Sequence, residues 1–413
     1  MRGQAVPGPQ RTEAALQRWL EEHGLASYDP YDGLACAAPW SIVRRHQLTA
    51  RLWTQLIKKS PINLRPFVGI EPRVSAKSLA DLAAAALLRH RLGDGPDAMR
   101  QARDLLSRLR TACLPGYAGA CWAMATPYVS RYVEAGPDTP NLFWSVSAAA
   151  SFLDAYELER DPADLALARS VIDFVQHDLG SVDDGQGGVW FRYFAAHEAA
   201  VHNVAALTGA LLLRVASHTQ EADLAALGHG AFRFVLGGQN PDGSWNYARG
   251  PRGRWIDGFH TGYVLEALLQ AVLMERDPDL EAALGRGVHF YLDRLFSPSH
   301  LPCYTADRFF PIDVQNCAQA VQTLAKLSLW QPDIMARAQA VTEAVTRALF
   351  VFTRRDVDEA GYFLMSRGRW VTNRVSAVRW GQAPMLLALT HLRAASVGLG
   401  AARASARPSS TRP

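Results

Sequence analysis

Two histidines in the 413-residue chain stand next to acids or amides at the start of apolar runs: His202-Asn203, and His260 in Asp257-Gly258-Phe259-His260-Thr261. Histidine titrates near neutrality and is suited to taking up or giving back a proton. Asp257 lies three residues before His260, which puts both on one helix face. Asp313 opens another apolar run, and Arg379 with Gln382 opens one more. Two chemistries fit these residue types. His260 or His202 could remove a proton next to a carbonyl or a uronate carboxylate, with Arg379 or Asn203 stabilising the anion, as an epimerase or lyase requires. Alternatively, Asp257 and Asp313 could act as the carboxylate pair of a glycoside hydrolase.

Aromatic residues surround these positions: Trp190, Tyr193, Trp245, Trp255, Tyr304 and Trp380. Aromatic faces cover the C–H side of a sugar ring, while Asn203, Gln315, Arg379 and Gln382 could bind hydroxyls or a carboxylate. The competing expectation is that Asp257 and Asn203 only cap helices and that the tryptophans pack hairpin turns. A zinc site could draw on His202, Asp257, His260, Asp313 and Cys317, and the Asp183-Asp184-Gly185 loop could take calcium or simply turn. Neither shows a diagnostic ligand spacing, so no metal or cofactor is assigned. Arg308, Arg367, Arg369 and Arg374 could meet an acidic glycan or a diphosphate, or be solvated surface.

The elements that must position these groups are helical and repeat. Small-residue-rich apolar helices are predicted to start near Ser75, Thr139, His202, Asp257, Asp313 and Arg379, in steps of roughly 56 to 64 residues. Five charged amphipathic helices follow, over about 96–112, 161–178, 221–236, 278–294 and 335–352. The N-terminal helices, 12–23 and about 41–58, would supply the sixth partner. Helices apolar all round are buried, and those with a charged stripe face water. The prediction is an all-α, (α/α)6 toroid, six helical hairpins closed into a ring, with an open two-domain helical arrangement as the alternative. Links from inner to outer helices are short. The return links are long and carry the Trp, Tyr, Gly and Asp residues, so they should gather at one mouth.

Residues 1–12 and 398–413 read as disordered, leaving one domain over 13–397. Hydrophobic residues make up 49% and the net charge is +4, but Arg403, Arg407 and Arg412 sit in the final stretch. The near-neutral body gives no electrostatic case for nucleic acid. The five cysteines show no paired spacing, and no signal peptide or membrane-spanning run is apparent. Together these point to a cytoplasmic protein with reduced thiols.

Gly237-Gly238-Gln239-Asn240-Pro241-Asp242-Gly243-Ser244-Trp245 resembles the Gln/Trp repeat of squalene-hopene cyclases and prenyltransferases. Asp257 to Tyr263 resembles the stretch that carries the zinc-binding histidine of protein prenyltransferase β subunits. Taken with Tyr28–Gly33, Thr139–Tyr156, Val201–Val215 and Arg379–Ala383, the chain is similar to a bacterial α/α-toroid family associated with exopolysaccharide biosynthesis. The resemblance implies a toroid and a genomic setting, without a settled reaction. The chain lacks the DxDD acid of class II terpene cyclases and the Asp-x-Cys pair of the prenyltransferase zinc site, so neither activity is carried over.

The leading expectation is a carbohydrate-active enzyme of exopolysaccharide or glycoconjugate assembly. It would act on a sugar chain or lipid-linked sugar by epimerase, lyase or hydrolase chemistry. One alternative is an enzyme processing a terpenoid or prenyl diphosphate, which requires an apolar, aromatic tunnel. Another is a non-catalytic glycan-binding or assembly factor.

Overall fold

The computed structural model describes residues 6–398 apart from 125, 131, 133 and 357. Thirteen α-helices appear among these residues: α1 Pro9–His23, α2 Gln47–Lys59, α3 Ala76–Arg91, α4 Pro96–Thr111, α5 Leu142–Glu159, α6 Pro162–Phe174, α7 His202–Thr219, α8 Ala222–Gly237, α9 Gly258–Glu275, α10 Pro278–Arg294, α11 Val314–Leu327, α12 Ile334–Leu349 and α13 Ala383–Ser396. Short strands occur in the loops: β1 Tyr128–Val129, β2 Glu134–Ala135, β3 Ser181–Asp183, β4 Val189–Phe191, β5 Ile312–Asp313, β6 Phe350–Arg354, β7 Ala360–Phe363, β8 Ser366–Arg367 and β9 Thr372–Asn373. They pair antiparallel as β1-β2, β3-β4, β6-β7 and β5-β8-β9.

The repeat shows in the hairpin geometry. Helices α5, α7 and α9 are each 18 residues long. Each ends on one left-handed residue, Arg160, Gln220 or Arg276 (φ 63°, 61° and 54°). The next residue, Asp161, Glu221 or Asp277, is already the N-cap of the outer helix. A reversal this tight holds the two helices antiparallel and in contact. The inner helices α3, α5, α7, α9, α11 and α13 touch in sequence, and α13 packs back on α3 to close the ring. The outer partners are α4, α6, α8, α10 and α12, and α1 takes the sixth position against α13. Buried Thr390 on α13 donates to Glu13 on α1 (2.9 Å), and Arg393 reaches the same carboxylate. One contiguous core of Ala, Leu, Val and Phe side chains fills the space between the two layers.

The structure corrects three boundaries. The first helix begins at Pro9 rather than Thr12, so residues 9–12 are ordered: proline suits a first helical turn, and the Thr12 hydroxyl bonds Gly8 O. The other terminal residues expected to be disordered, 1–5 and 399–413, lie outside the described residues. The helix expected to run to 352 stops at Leu349, where Phe350 turns extended and the aromatic and β-branched run Phe350–Arg354 forms β6, paired with β7. The helix expected over 41–58 is a 3-10 turn, Trp40–Arg45, followed by α2.

The Gln/Trp loop acts as a staple. Trp245 is buried with Nε1 donating to Val235 O (2.8 Å) at the end of α8. Gln239 donates to Gly243 O and Ala283 O, and accepts from Arg286. Gly243 has φ 89°, and a Cβ there would stand 2.4 Å from Arg286 O. This turn therefore locks α8 to α10. Replacing Trp245 with alanine is expected to destabilise the fold by about 3–5 kcal/mol in urea unfolding. A loss below about 1 kcal/mol would mean the indole is not a packing anchor.

Candidate active site at the mouth of the ring

All six inner helices start at the same end of the ring, and the long loops are joined to one another there. Leu142 N donates to Tyr193 O, His202 N to Tyr247 O, Ala306 N to Ile256 O, and Val314 N to Met365 O. Each loop thus supplies carbonyls to the start of a neighbouring hairpin. Asn141, Asp257 and Asp313 cap α5, α9 and α11 with their side chains.

At the start of α9, Asp257 Oδ1 accepts from His260 N (2.7 Å), while its carboxylate takes His260 Nδ1 at 2.7 and 2.9 Å and Trp255 Nε1 at 3.0 Å. A carboxylate only accepts, so Nδ1 carries a proton, and in the neutral imidazole Nε2 is the nitrogen without one. Burial would raise the Asp257 carboxyl, but His260, its backbone N–H and the Trp255 indole outweigh burial and leave it below the usual carboxylate range. His260 is partly exposed and walled by aromatics: Tyr247 meets it edge-on at 4.6 Å and Phe259 at 4.8 Å, while Tyr247 stacks on Trp255 at 4.3 Å. Asn203 lines the same recess, and its buried Oδ1 has no hydrogen-bond partner among the described residues. An unpaired acceptor beside a bare imidazole nitrogen suits a hydroxyl-bearing ligand.

A second group adjoins it. Asp313 caps Gln315 N and Asn316 N and accepts the Trp380 indole N–H at 3.0 Å. Burial raises the Asp313 carboxyl, and Lys58, Trp380 and the backbone N–H groups offset only part of that. Phe259 connects the two groups, 6.1 Å from Trp380. Tyr304 lies in the field of Lys58, Asp313, Tyr31 and Asp257, and Tyr193 in that of Tyr128, Arg379 and Tyr31. The structure therefore brings Asp257, His260, Asn203, Trp255, Tyr304, Tyr193, Asp313, Trp380 and Arg379 to one mouth.

Other sequence-predicted residues are tied into the fold, although His202 and Trp245 line the same recess. His202 was expected to act as an acid or base. Its Nδ1 instead donates to Asn246 O (2.7 Å), its ring stacks on Phe234, and a Cβ on Gly238 would lie 2.3 Å from its Nε2. Burial lowers its pKa to about 4, so it is neutral at pH 7, and its buried Nε2 has no hydrogen-bond partner among the described residues. Gln382 was expected to bind substrate; it is wholly buried and pairs with both Phe363 N (2.9 Å) and Phe363 O (2.7 Å), tying α13 to β7. Trp245 belongs to the staple, and Trp190 sits on β4 opposite Val182, packed against the core. Asp184 closes its own turn through Gln186 N and Gly188 N and pairs with Arg249. Among the described residues no three His, Cys, Asp or Glu side chains are grouped so as to hold a metal ion.

Sequence reading missed the contribution of the N-terminal segment. Asp29 forms an ion pair with Arg379, and Lys58 Nζ donates to Tyr31 OH (2.9 Å) while lying 5.3 Å from the Trp380 ring centroid. Burial would lower the Lys58 ammonium, but Tyr31, Tyr304 and Asp313 outweigh it and hold it above the ordinary lysine range. The only signal was the paired aromatic–acid pattern Tyr28-Asp29-Pro30-Tyr31-Asp32. Deeper in the ring, Tyr263 of α9 meets Phe143 of α5 at 5.1 Å, Lys77 pairs with buried Asp81, and Glu266 binds Gln319, Gln322, Thr323 and Lys326. These charged pairs differ from the apolar, aromatic tunnel expected for an isoprenoid substrate.

No family model matches the chain, and no curated protein does. Solved structures do. Cellobiose 2-epimerase from Bacillus thermoamylovorans B4167 superposes with a TM-score of 0.62 at 9% identity, covering 78% of this chain and 88% of that one. The GH76 α-mannanase BT2949 of Bacteroides thetaiotaomicron gives 0.60 at 11%, covering 78% and 86%. An unsaturated glucuronyl hydrolase specific for heparin gives 0.60 at 9%, covering 93% and 95%. At such identities the likeness shows the toroid fold. Among the described residues, no helix is long and apolar enough to cross a membrane.

The His202 environment makes acid sensitivity testable. Its folded pKa of about 4 lies below the ordinary histidine value of 6.5, so between the two the unfolded chain binds a proton that the folded chain does not. Its contribution is whole above pH 6.5 and is lost as pH falls toward about 4. The loss is roughly 3 kcal/mol. Urea melts of His202→Gln should show a shallower fall in stability across that window. An unchanged slope would exclude His202 as its source.

Proposed function

We propose that this chain is a carbohydrate-active enzyme whose His260–Asp257 dyad moves a proton on a sugar bound at the ring mouth, as an epimerase or lyase does. The observation that carries this reading is the dyad's geometry: Asp257 holds the Nδ1 proton and leaves Nε2 as a base in a recess walled by Tyr247 and Trp255. Asp257 orients the imidazole and stabilises the imidazolium formed when Nε2 takes the proton. Asn203 Oδ1 accepts a sugar hydroxyl, Trp255, Tyr247 and Tyr304 offer ring faces, and Trp380 lines the far side. The carbohydrate-processing activities in the names of the structural neighbours are consistent with this reading.

A second reading is glycoside hydrolysis. It rests on the opposite displacement of two carboxyl groups at the same mouth, Asp257 downward and Asp313 upward. Such divergence suits one ionised carboxylate and one proton donor. A role in exopolysaccharide or glycoconjugate assembly, on a free or lipid-linked sugar in the cytoplasm, belongs to this proposal as its biological setting.

The experiment is incubation in D2O with neutral and uronate oligosaccharides, followed by NMR. Epimerase or lyase chemistry predicts deuterium wash-in at the carbon next to the carbonyl or carboxylate, or a new unsaturated end. Hydrolysis predicts new reducing ends without wash-in. His260→Gln should lower kcat about 10²–10⁴-fold with an unchanged melting temperature. A folded His260→Gln protein with full turnover would refute the dyad mechanism, and ligand binding with no product would leave a glycan-binding protein.

A further inference from the structure

The N-terminal segment that reaches into the mouth has an outer face which no other part of the described chain covers. Helix α2 buries Ala50, Thr54 and Ile57 inward, and Trp53 Nε1 donates to Gly33 O (2.9 Å). The segment is anchored from below by buried Arg65, which pairs with Asp32 (2.7 Å) and donates to Asp29 O. On the opposite side of α2, Leu48, Leu52 and Leu56 recur every fourth residue and are 66%, 63% and 53% exposed. In the turns that flank α2, Trp40, Ile62 and Phe67 are exposed as well, Phe67 by 77%. The β8–β9 hairpin adds Trp370 at its tip, with its base bonded to the end of α2 through Asn373 Nδ2 to Lys58 O (3.0 Å).

The charge on this segment has one sign. Residues 33–70 contain Arg44, Arg45, Arg51, Lys58, Lys59 and Arg65 and no Asp or Glu. Lys58 and Arg65 turn inward, while Arg44, Arg45, Arg51 and Lys59 are exposed around the leucines. Arg369 lies over the Trp370 ring at 5.1 Å. An apolar helix face rimmed by cations, with tryptophans at its margins, has the composition of an element lying in a membrane interface.

We propose that the outer face of α2 and its flanking turns docks this protein onto an anionic phospholipid surface. The leucines and Phe67 enter the headgroup boundary, and Arg44, Arg45, Arg51 and Lys59 meet lipid phosphates. A second copy of the chain is a poor occupant, because a two-fold contact would set this cationic face against itself, with no acid within residues 33–70 to pair. The inference stands apart from the reaction assigned to the mouth.

The test is co-sedimentation of the full chain with phosphatidylcholine vesicles, with and without phosphatidylglycerol. Binding is expected with phosphatidylglycerol and should weaken with added salt. Arg45→Gln with Arg51→Gln should weaken it roughly thirtyfold. Leu52→Asp with Leu56→Asp should abolish it while leaving the melting temperature unchanged. Absence of vesicle binding, or binding untouched by either double variant, would overturn the proposal. So would a dimer that Leu52→Asp with Leu56→Asp splits in a protein that binds no vesicles, which would make the face a self-interface.

Discussion

Six helices begin at one end of the ring, and each brings backbone N–H groups that no preceding carbonyl can satisfy. The polar character of the mouth follows from this demand. Asn141, Asp257 and Asp313 answer it with side chains, and the loops answer it with carbonyls such as Tyr193 O, Tyr247 O and Met365 O. The return loops must therefore be long enough to reach a neighbouring hairpin as well as their own helix. The aligned helix dipoles add a field that favours negative charge at this end. An ionised Asp257 that accepts from the His260 backbone and ring N–H groups is the arrangement that such a field and those donors favour.

The same demand is met in different ways at equivalent places in the repeat, and chemistry can follow from the difference. His202 and His260 both sit at the first turn of an inner helix. His260 finds a carboxylate three residues earlier, so its Nδ1 is held at the start of its own helix while the ring lines the recess. His202 follows Val201, which has no polar side chain, and its Nδ1 turns to Asn246 O in the next loop. That turn places Nε2 against Gly238, where only a glycine leaves room. One imidazole is thus held by a carboxylate at the start of its own helix, and the other by a backbone carbonyl of the next loop.

Ring closure and the covering of the mouth rest on one continuous stretch of chain. Helix α1 fills the sixth outer position through Glu13, and the residues after it cross to the mouth, where Asp29 meets Arg379 and Tyr31 meets Lys58. Arg379 is neutralised by Asp29 within the chain, so a uronate carboxylate would have to compete for it. The 38-residue segment from Gly33 to Ile70 packs its inner side into small cores of its own, shared with Val129 of β1, and keeps an apolar, cationic outer side. Position in the fold explains why those leucines are exposed: the core of α2 is completed by the turn at 33–36, leaving its second face without a partner.

The sequence by itself determined the toroid, because its signals are local and repeated. Alternating all-apolar and one-stripe helices, polar helix starts and short inner-to-outer links each follow from burial and capping within about 60 residues. It also determined that Asp257 and His260 share a helix face, since a separation of three is a helix turn. Tertiary structure alone decided which polar residues face the mouth. Gln382 and Trp380 are two residues apart, yet one binds the Phe363 backbone and the other the Asp313 carboxylate. Asp29, Tyr31 and Lys58 lie more than 320 residues from their partners Arg379 and Trp380 in the chain, Asp29 and Arg379 being 350 apart. No periodicity reports such contacts, because they exist only once the ring has closed and brought its two ends together.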